Sequence, residues 1–131
     1  MKDSKKTILN ACSLLIYISK ADDIVKHDET AIIEEILMDF FSISQIEVKQ
    51  IIKSGFQSVE ESIDIFEFSN QLNKSFTYQD KLDFLKCIFE VGYIDGELHN
   101  LEYHYIKKIS NLLFIERDDL IDVKLEFKNY I

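Results

Sequence analysis

Asp22 and Glu29 stand seven residues apart, and Asp95 and Glu102 repeat that separation 73 residues further on. The two stretches read Asp22-Asp23-Ile24-Val25-Lys26-His27-Asp28-Glu29 and Asp95-Gly96-Glu97-Leu98-His99-Asn100-Leu101-Glu102. Carboxylate oxygens are hard ligands suited to Ca²⁺, Mg²⁺ or another divalent cation. Asp22, Asp23 and Glu29 in the first stretch, and Asp95, Glu97 and Glu102 in the second, are therefore the candidate metal ligands. The spacing is not that of an EF-hand, which places alternating acidic residues before a glycine and a bidentate Glu at the twelfth position. One such loop alone would bind Ca²⁺ or Mg²⁺ weakly, in the range of roughly 10⁻⁴–10⁻³ M. If the two loops converge, their pooled carboxylates would bind more tightly. Asp95, His99 and Glu102 form an alternative transition-metal set, with the last two spaced i, i+3 on a helix.

Every one of these residues also has a purely structural reading. A Glu in the first turn of a helix caps backbone N–H groups and complements the positive helix end, which accounts for Glu29 and Glu102 without a ligand. Asp22 and Asp95 would follow a helix C-terminus, where the dipole disfavours an anion, although Asp also forms turns through bonds to backbone. Val25 and Leu98 are the apolar anchors that would fix each loop to a core. Paired carboxylates could serve as acid and base, but no nucleophile elbow, glycine-rich phosphate loop or HExxH accompanies them, and no enzymatic activity is expected.

The elements around the loops repeat as well. Leu9, Cys12, Leu15 and Ile16 fall on Leu82, Leu85, Ile88 and Phe89, while Ile33, Ile36, Phe40 and Phe41 fall on Ile106, Ile109, Leu113 and Phe114. The pattern is helix, acidic loop, helix, present twice: an internal pseudo-two-fold duplication. Apolar residues at intervals of three and four predict about seven helices, over roughly 4–19, 27–41, 44–53, 58–72, 77–93, 99–114 and 117–129. Ser44 with Glu47, Ser58 with Glu61, and Thr77 with Asp80 have capping-box spacing, and Gly55 reads as a helix terminator. Isoleucine-rich runs such as 63–68 compete as strands, but their spacing and caps favour helix. The fold class expected is all-α, a single bundle over residues 1–131.

Composition narrows the function classes. With 131 residues, 47% of them hydrophobic, the chain can bury a substantial core and is not a disordered segment. No proline and three glycines argue against a turn-rich β fold. Twenty-four acidic against 15 basic residues leave a net charge of −9, which disfavours nucleic acid and suits cations or a basic protein partner. Cys12 and Cys87 lie in apolar helical runs without metal spacing and are read as reduced core thiols, favouring the cytoplasm. Lys2, Lys5 and Lys6 before the apolar run 8–18 imitate a signal peptide, and Leu9-Asn10-Ala11-Cys12 a lipoprotein box. The apolar residues ahead of Cys12 are too few for a lipoprotein leader, and the stretch aligns with the helix at 80–93, so the run is read as the first core helix. No run is long enough for a transmembrane segment.

Ala21-Asp22-Asp23 through Glu29, and Ile94-Asp95-Gly96 through Glu102, set between paired helices, resemble the TerB-like family. That family takes in tellurite-resistance TerB and the N-terminal domain of the membrane-anchored co-chaperone DjlA. The resemblance covers about residues 8–128 and implies a compact all-α domain, no catalysis, acidic loops proposed to bind metal, and a link to chemical-stress responses. The chain departs from the pattern at Asp23, where a glycine is usual, and at Lys26 and His99, where Ser or Thr is usual. Two functions follow as expectations: weak divalent-cation binding through the loops, or a protein–protein interaction module whose loops are structural helix caps.

Overall fold

Ser4 opens the first helix by accepting a hydrogen bond from the Thr7 backbone N–H at 3.2 Å, and α1 then runs over Lys5–Ser19. A computed structural model of the chain describes residues 4–20, 27–61, 64–93, 98 and 100–130. Along α1, residues 11–16 are buried in unbroken succession, so the helix has no solvent face over that stretch. Full burial of Leu14, Leu15, Ile16 and Ile18 stabilises by about 1.5–3 kcal/mol each relative to exposure. The buried hydroxyls of α1 are matched within the helix or by Ser75. Ser13 donates to the Leu9 carbonyl, Ser19 to the Ile16 carbonyl, and Thr7 to Ser75 Oγ, each at 2.9 Å.

The other helices are α2 (His27–Phe41), α3 (Gln45–Glu61), α4 (Ile65–Ser75), α5 (Tyr78–Gly92), α6 (Asn100–Leu112) and α7 (Arg117–Tyr130). Helices α2 to α6 all pack on α1, and α7 packs on α5. The fold is an all-α bundle of seven helices, and no strand occurs among the described residues. The strand alternative for 63–68 gives way to α4, whose buried Ile65, Phe68 and Leu72 lie on one stripe. No described helix is long and apolar enough to cross a membrane.

Two boundaries differ from the sequence reading. Gly55 does not end a helix, and Ser58 and Glu61 do not start one, because α3 continues through all three. Val48, Ile52, Gly55 and Val59 form one buried stripe at helical spacing, and its burial against α1 outweighs the glycine's poor propensity and the local cap. Gly55 serves close approach instead. A Cβ there would come within 2.8 Å of Cys12 Sγ and 2.9 Å of Ile16 Cδ1. Asp64 is the cap that opens α4, accepting from the Glu67 N–H at 3.2 Å. The Thr77–Asp80 box forms with both bonds, at 3.0 and 3.1 Å, and Ser44 accepts from the Glu47 N–H at 3.2 Å.

Helices α2 and α6 stop in the same way, on a residue in the left-handed region: Ser42 at φ 54° and Phe114 at φ 57°. After α6 the bonds from Phe114 N–H to the Asn111 carbonyl and from Ile115 N–H to the Ser110 carbonyl, both 3.0 Å, make a Schellman turn. Phe40, Phe41, Phe76 and Phe84 meet edge-on or tilted, with ring centroids 4.8–6.4 Å apart, and lock α2 to α5 and to the end of α4.

The tight α1–α3 approach yields a test. Gly55→Ala adds helix propensity worth up to about 1 kcal/mol, yet it forces a methyl into fully buried Ile16 and Cys12, an overpacking that costs about 1–3 kcal/mol. The variant is expected to be less stable than the parent in a denaturant melt. A gain in stability would show that α3 is free to move away from α1.

Candidate functional site

Of the six candidate ligands, the structure describes the side chain of Glu102 alone. Asp22, Asp23, Asp95 and Glu97 lie outside the described residues, and so does the side chain of Glu29. Glu102 sits in the first turn of α6 and is 4% exposed, an unusual degree of burial for a carboxylate. The placement suits its charge, because a helix N-terminus carries positive partial charge. Leu98 is the expected anchor of the second loop. It is half-buried against the end of α5, where a Cβ on Gly92 would lie 2.8 Å from Leu98 Cδ1 and 3.2 Å from Ile106 Cδ1. Glycine at 92 therefore allows Leu98, α5 and α6 to close together. Val25, the matching anchor of the first loop, and His99 of the alternative metal set fall outside the described residues.

Sequence reasoning missed a second acidic feature. Helices α2 and α5 enclose a cleft of about 300 Å³ whose rim carries Glu35 and Asp39 from α2 and Glu90 from α5, with Cys87 and Phe40 in its wall. Burial, followed by the nearby charges of Asp39 and Glu35, raises the Glu90 carboxyl above its usual range. Glu90 as a residue is exposed, so water screens much of this repulsion. Glu35 and Asp39 have i, i+4 spacing that is legible in the sequence, but only the packing of α2 on α5 brings Glu90 to them. Among the described residues, no group of three His, Cys, Asp or Glu side chains is placed to hold a metal ion.

Both cysteines are free. Cys12 is fully buried, as expected, and burial pushes its thiol up to about 12. Cys87 is half-buried in the acidic cleft. Burial, then the charges of Glu90, Asp83 and Asp39, push it up to about 12 as well. Neither thiol is an activated nucleophile, because the reactive thiolate is disfavoured at both.

Residues 8–125 match the family described as tellurite resistance protein TerB, nearly the whole chain. The chain belongs to the TerB family. Its structure is similar to the crystal structure of a protein of unknown function from Porphyromonas gingivalis W83, with a TM-score of 0.71 and 19% sequence identity over 98% of each chain. At that identity the likeness is one of fold. No curated protein matches.

Two tests follow for this TerB-family chain. Because the folded-state pKa of Glu90 is raised, the native state holds its proton more tightly than the unfolded chain does. Its contribution to stability therefore falls as pH rises from the ordinary carboxylate range through the raised value. Glu90→Gln is expected to be more stable than the parent near neutral pH, with the difference shrinking on acidification, in paired melts across pH. A pH-independent difference would remove the repulsion argument. For the thiols, alkylation of the native protein by iodoacetamide at neutral pH is expected to be slow at both Cys12 and Cys87. Modification of Cys12 should keep pace with unfolding, as followed by mass spectrometry.

Proposed function

We propose that this TerB-family domain is a non-enzymatic module that binds a divalent cation weakly through its two acidic loops, 22–29 and 95–102. The observation that carries the reading is Glu102, a carboxylate buried in the first turn of the helix that leaves the second loop. Its carboxylate oxygens are hard ligands of the kind that suits Ca²⁺ or Mg²⁺, and Asp95 and Glu97 supply the same ligand type from the loop that precedes it. The same Asp–Glu spacing in the first loop supports a second, related site at Asp22, Asp23 and Glu29. The family's description, tellurite resistance, supports a role in metal or chemical stress. Free thiols fit the reducing cytoplasm as its location.

A second reading has its own support. Glu102 is the third residue of α6, the position from which a Glu caps a helix, so the loops could be structural and the domain a protein–protein interaction module. A thermal titration separates the two. Under the cation reading, Ca²⁺, Mg²⁺, Zn²⁺ or Mn²⁺ raises the melting temperature progressively, by about 1.4 kcal/mol of stability at ten times Kd. Asp95→Asn and Glu102→Gln remove most of that rise, and amide signals of residues 93–103 shift with it. Under the capping reading, no cation exceeds a matched monovalent salt control. A flat titration to several millimolar with all four cations would end the cation proposal.

A further inference from the structure

Helices α6 and α7 enclose a cleft of about 440 Å³ with the opposite character to the acidic loops. Lys107 and Arg117 line it, and no carboxylate does, although the chain carries 24 acidic residues against 15 basic ones. A third cation stands beside it. Lys124 Nζ lies 3.9 Å from the centroid of the Tyr103 ring, and Lys107 Nζ lies 4.9 Å from the same centroid. Each ammonium gains from the ring's electron-rich face. One aromatic ring beside the cleft therefore holds both ammonium groups.

The carboxylates that could have neutralised them are directed elsewhere. Asp119 accepts from the Tyr78 hydroxyl, Glu126 pairs with Lys86 at 3.8 Å, and neither Asp118 nor Asp122 lines the cleft. Among the described residues, Lys107, Arg117 and Lys124 make no ion pair. Arg117 is also the first residue of α7, where Asp118 and Asp119 of the first turn meet the helix dipole, so the cleft's charge comes from its side chains.

The rest of the wall is apolar. Ile115 and Leu120 are buried in it, and Ile121 is partly open to solvent beside them. The Ser110 hydroxyl and Asn111 amide add uncharged hydrogen-bonding groups.

The geometry points to a binding site for a small organic phosphate, a phosphate monoester with an apolar body. The dianion neutralises Lys107 and Lys124 together, and the planar guanidinium of Arg117 forms paired bonds to phosphate oxygens. Ile115, Leu120 and Ile121 cover the body, which distinguishes this ligand from inorganic phosphate. The site shares no ligand residue with the acidic loops, so it stands or falls independently of cation binding.

The test is an NMR titration of the full chain with phenyl phosphate, inorganic phosphate and phenol, following amides of residues 103–124. Phenyl phosphate is expected to give saturable shifts confined to α6 and α7, about tenfold tighter than inorganic phosphate, weakened by added salt, with no saturable response to phenol. Lys107→Gln, Arg117→Gln and Lys124→Gln should each weaken phenyl phosphate by about tenfold; the two lysine variants also lose their contact with the Tyr103 ring and should lower the melt slightly, and Arg117→Gln should leave it unchanged. Ile121→Asn should weaken phenyl phosphate and leave inorganic phosphate unchanged. Lys49→Gln, at an exposed position of α3, should change neither. Unchanged affinity in the three charge variants, or shifts lying outside α6 and α7, would overturn the site. Tighter binding of a phosphoserine peptide than of phenyl phosphate would overturn the small-molecule assignment.

Discussion

A helix without a solvent face must be surrounded, and α1 is such a helix. Residues 11–16 are buried one after another, around the full turn, and that single constraint arranges the rest of the bundle. Ordinary amphipathic helices can line one side of a core, but α1 requires neighbours on every side, and α2 to α6 supply them. The requirement extends to details that local propensity opposes. Gly55 sits in mid-helix because α3 must approach Cys12 and Ile16 closely, and the stripe through Val48, Ile52 and Val59 carries the helix past a residue that would otherwise end it. The few polar groups that α1 buries are bonded within the helix or to Ser75, so the core tolerates them.

Around this core the chain sorts its charges by location. The α2–α5 cleft gathers Glu35, Asp39 and Glu90; burial, then the charges of Asp39 and Glu35, raises the Glu90 carboxyl, and burial, then the charges of Glu90, Asp83 and Asp39, raises the Cys87 thiol. The α6–α7 cleft gathers Lys107 and Arg117 with Lys124 beside it. A net charge of −9 therefore describes the molecule poorly at short range, because fields inside clefts are set by the few groups that line them. In solution at physiological salt, charges beyond about 8 Å are largely screened, so each cleft presents its own sign to a ligand.

Membership of the TerB family and the likeness to the Porphyromonas gingivalis protein agree on fold and reach no further into chemistry. The chemistry rests on residues. Glu102 links the two regions of interest: it begins α6 at the second acidic loop, and the next residue, Tyr103, supports the lysines of the basic cleft. One helix thus presents a buried anion near its start and cations further along. The helix dipole favours the acid at the N-terminus, whereas Lys107 and Lys108 lie in mid-helix and Lys107 lines the cleft.

The sequence by itself determined the all-α class, the number of helices and most of their limits, because helix periodicity and caps are written within a few residues of each other. Thr77 with Asp80 and Ser44 with Glu47 cap as their spacing implies, and Leu98 anchors its loop. The repeated spacing of Asp22, Glu29, Asp95 and Glu102 is legible in the same way, and of these four the structure describes the side chain of Glu102, buried at the start of α6. Tertiary structure alone decided the rest. Ser58 with Glu61 satisfies the same local rule as the working caps, yet burial of α3 against α1 carries that helix past Ser58 to end at Glu61. Glu90 joins Glu35 and Asp39, and Lys124 joins Lys107 over Tyr103, through contacts between separate helices. Spacing along a chain determines which residues share a face of one helix; which faces meet is settled by how all the apolar stripes are buried at once.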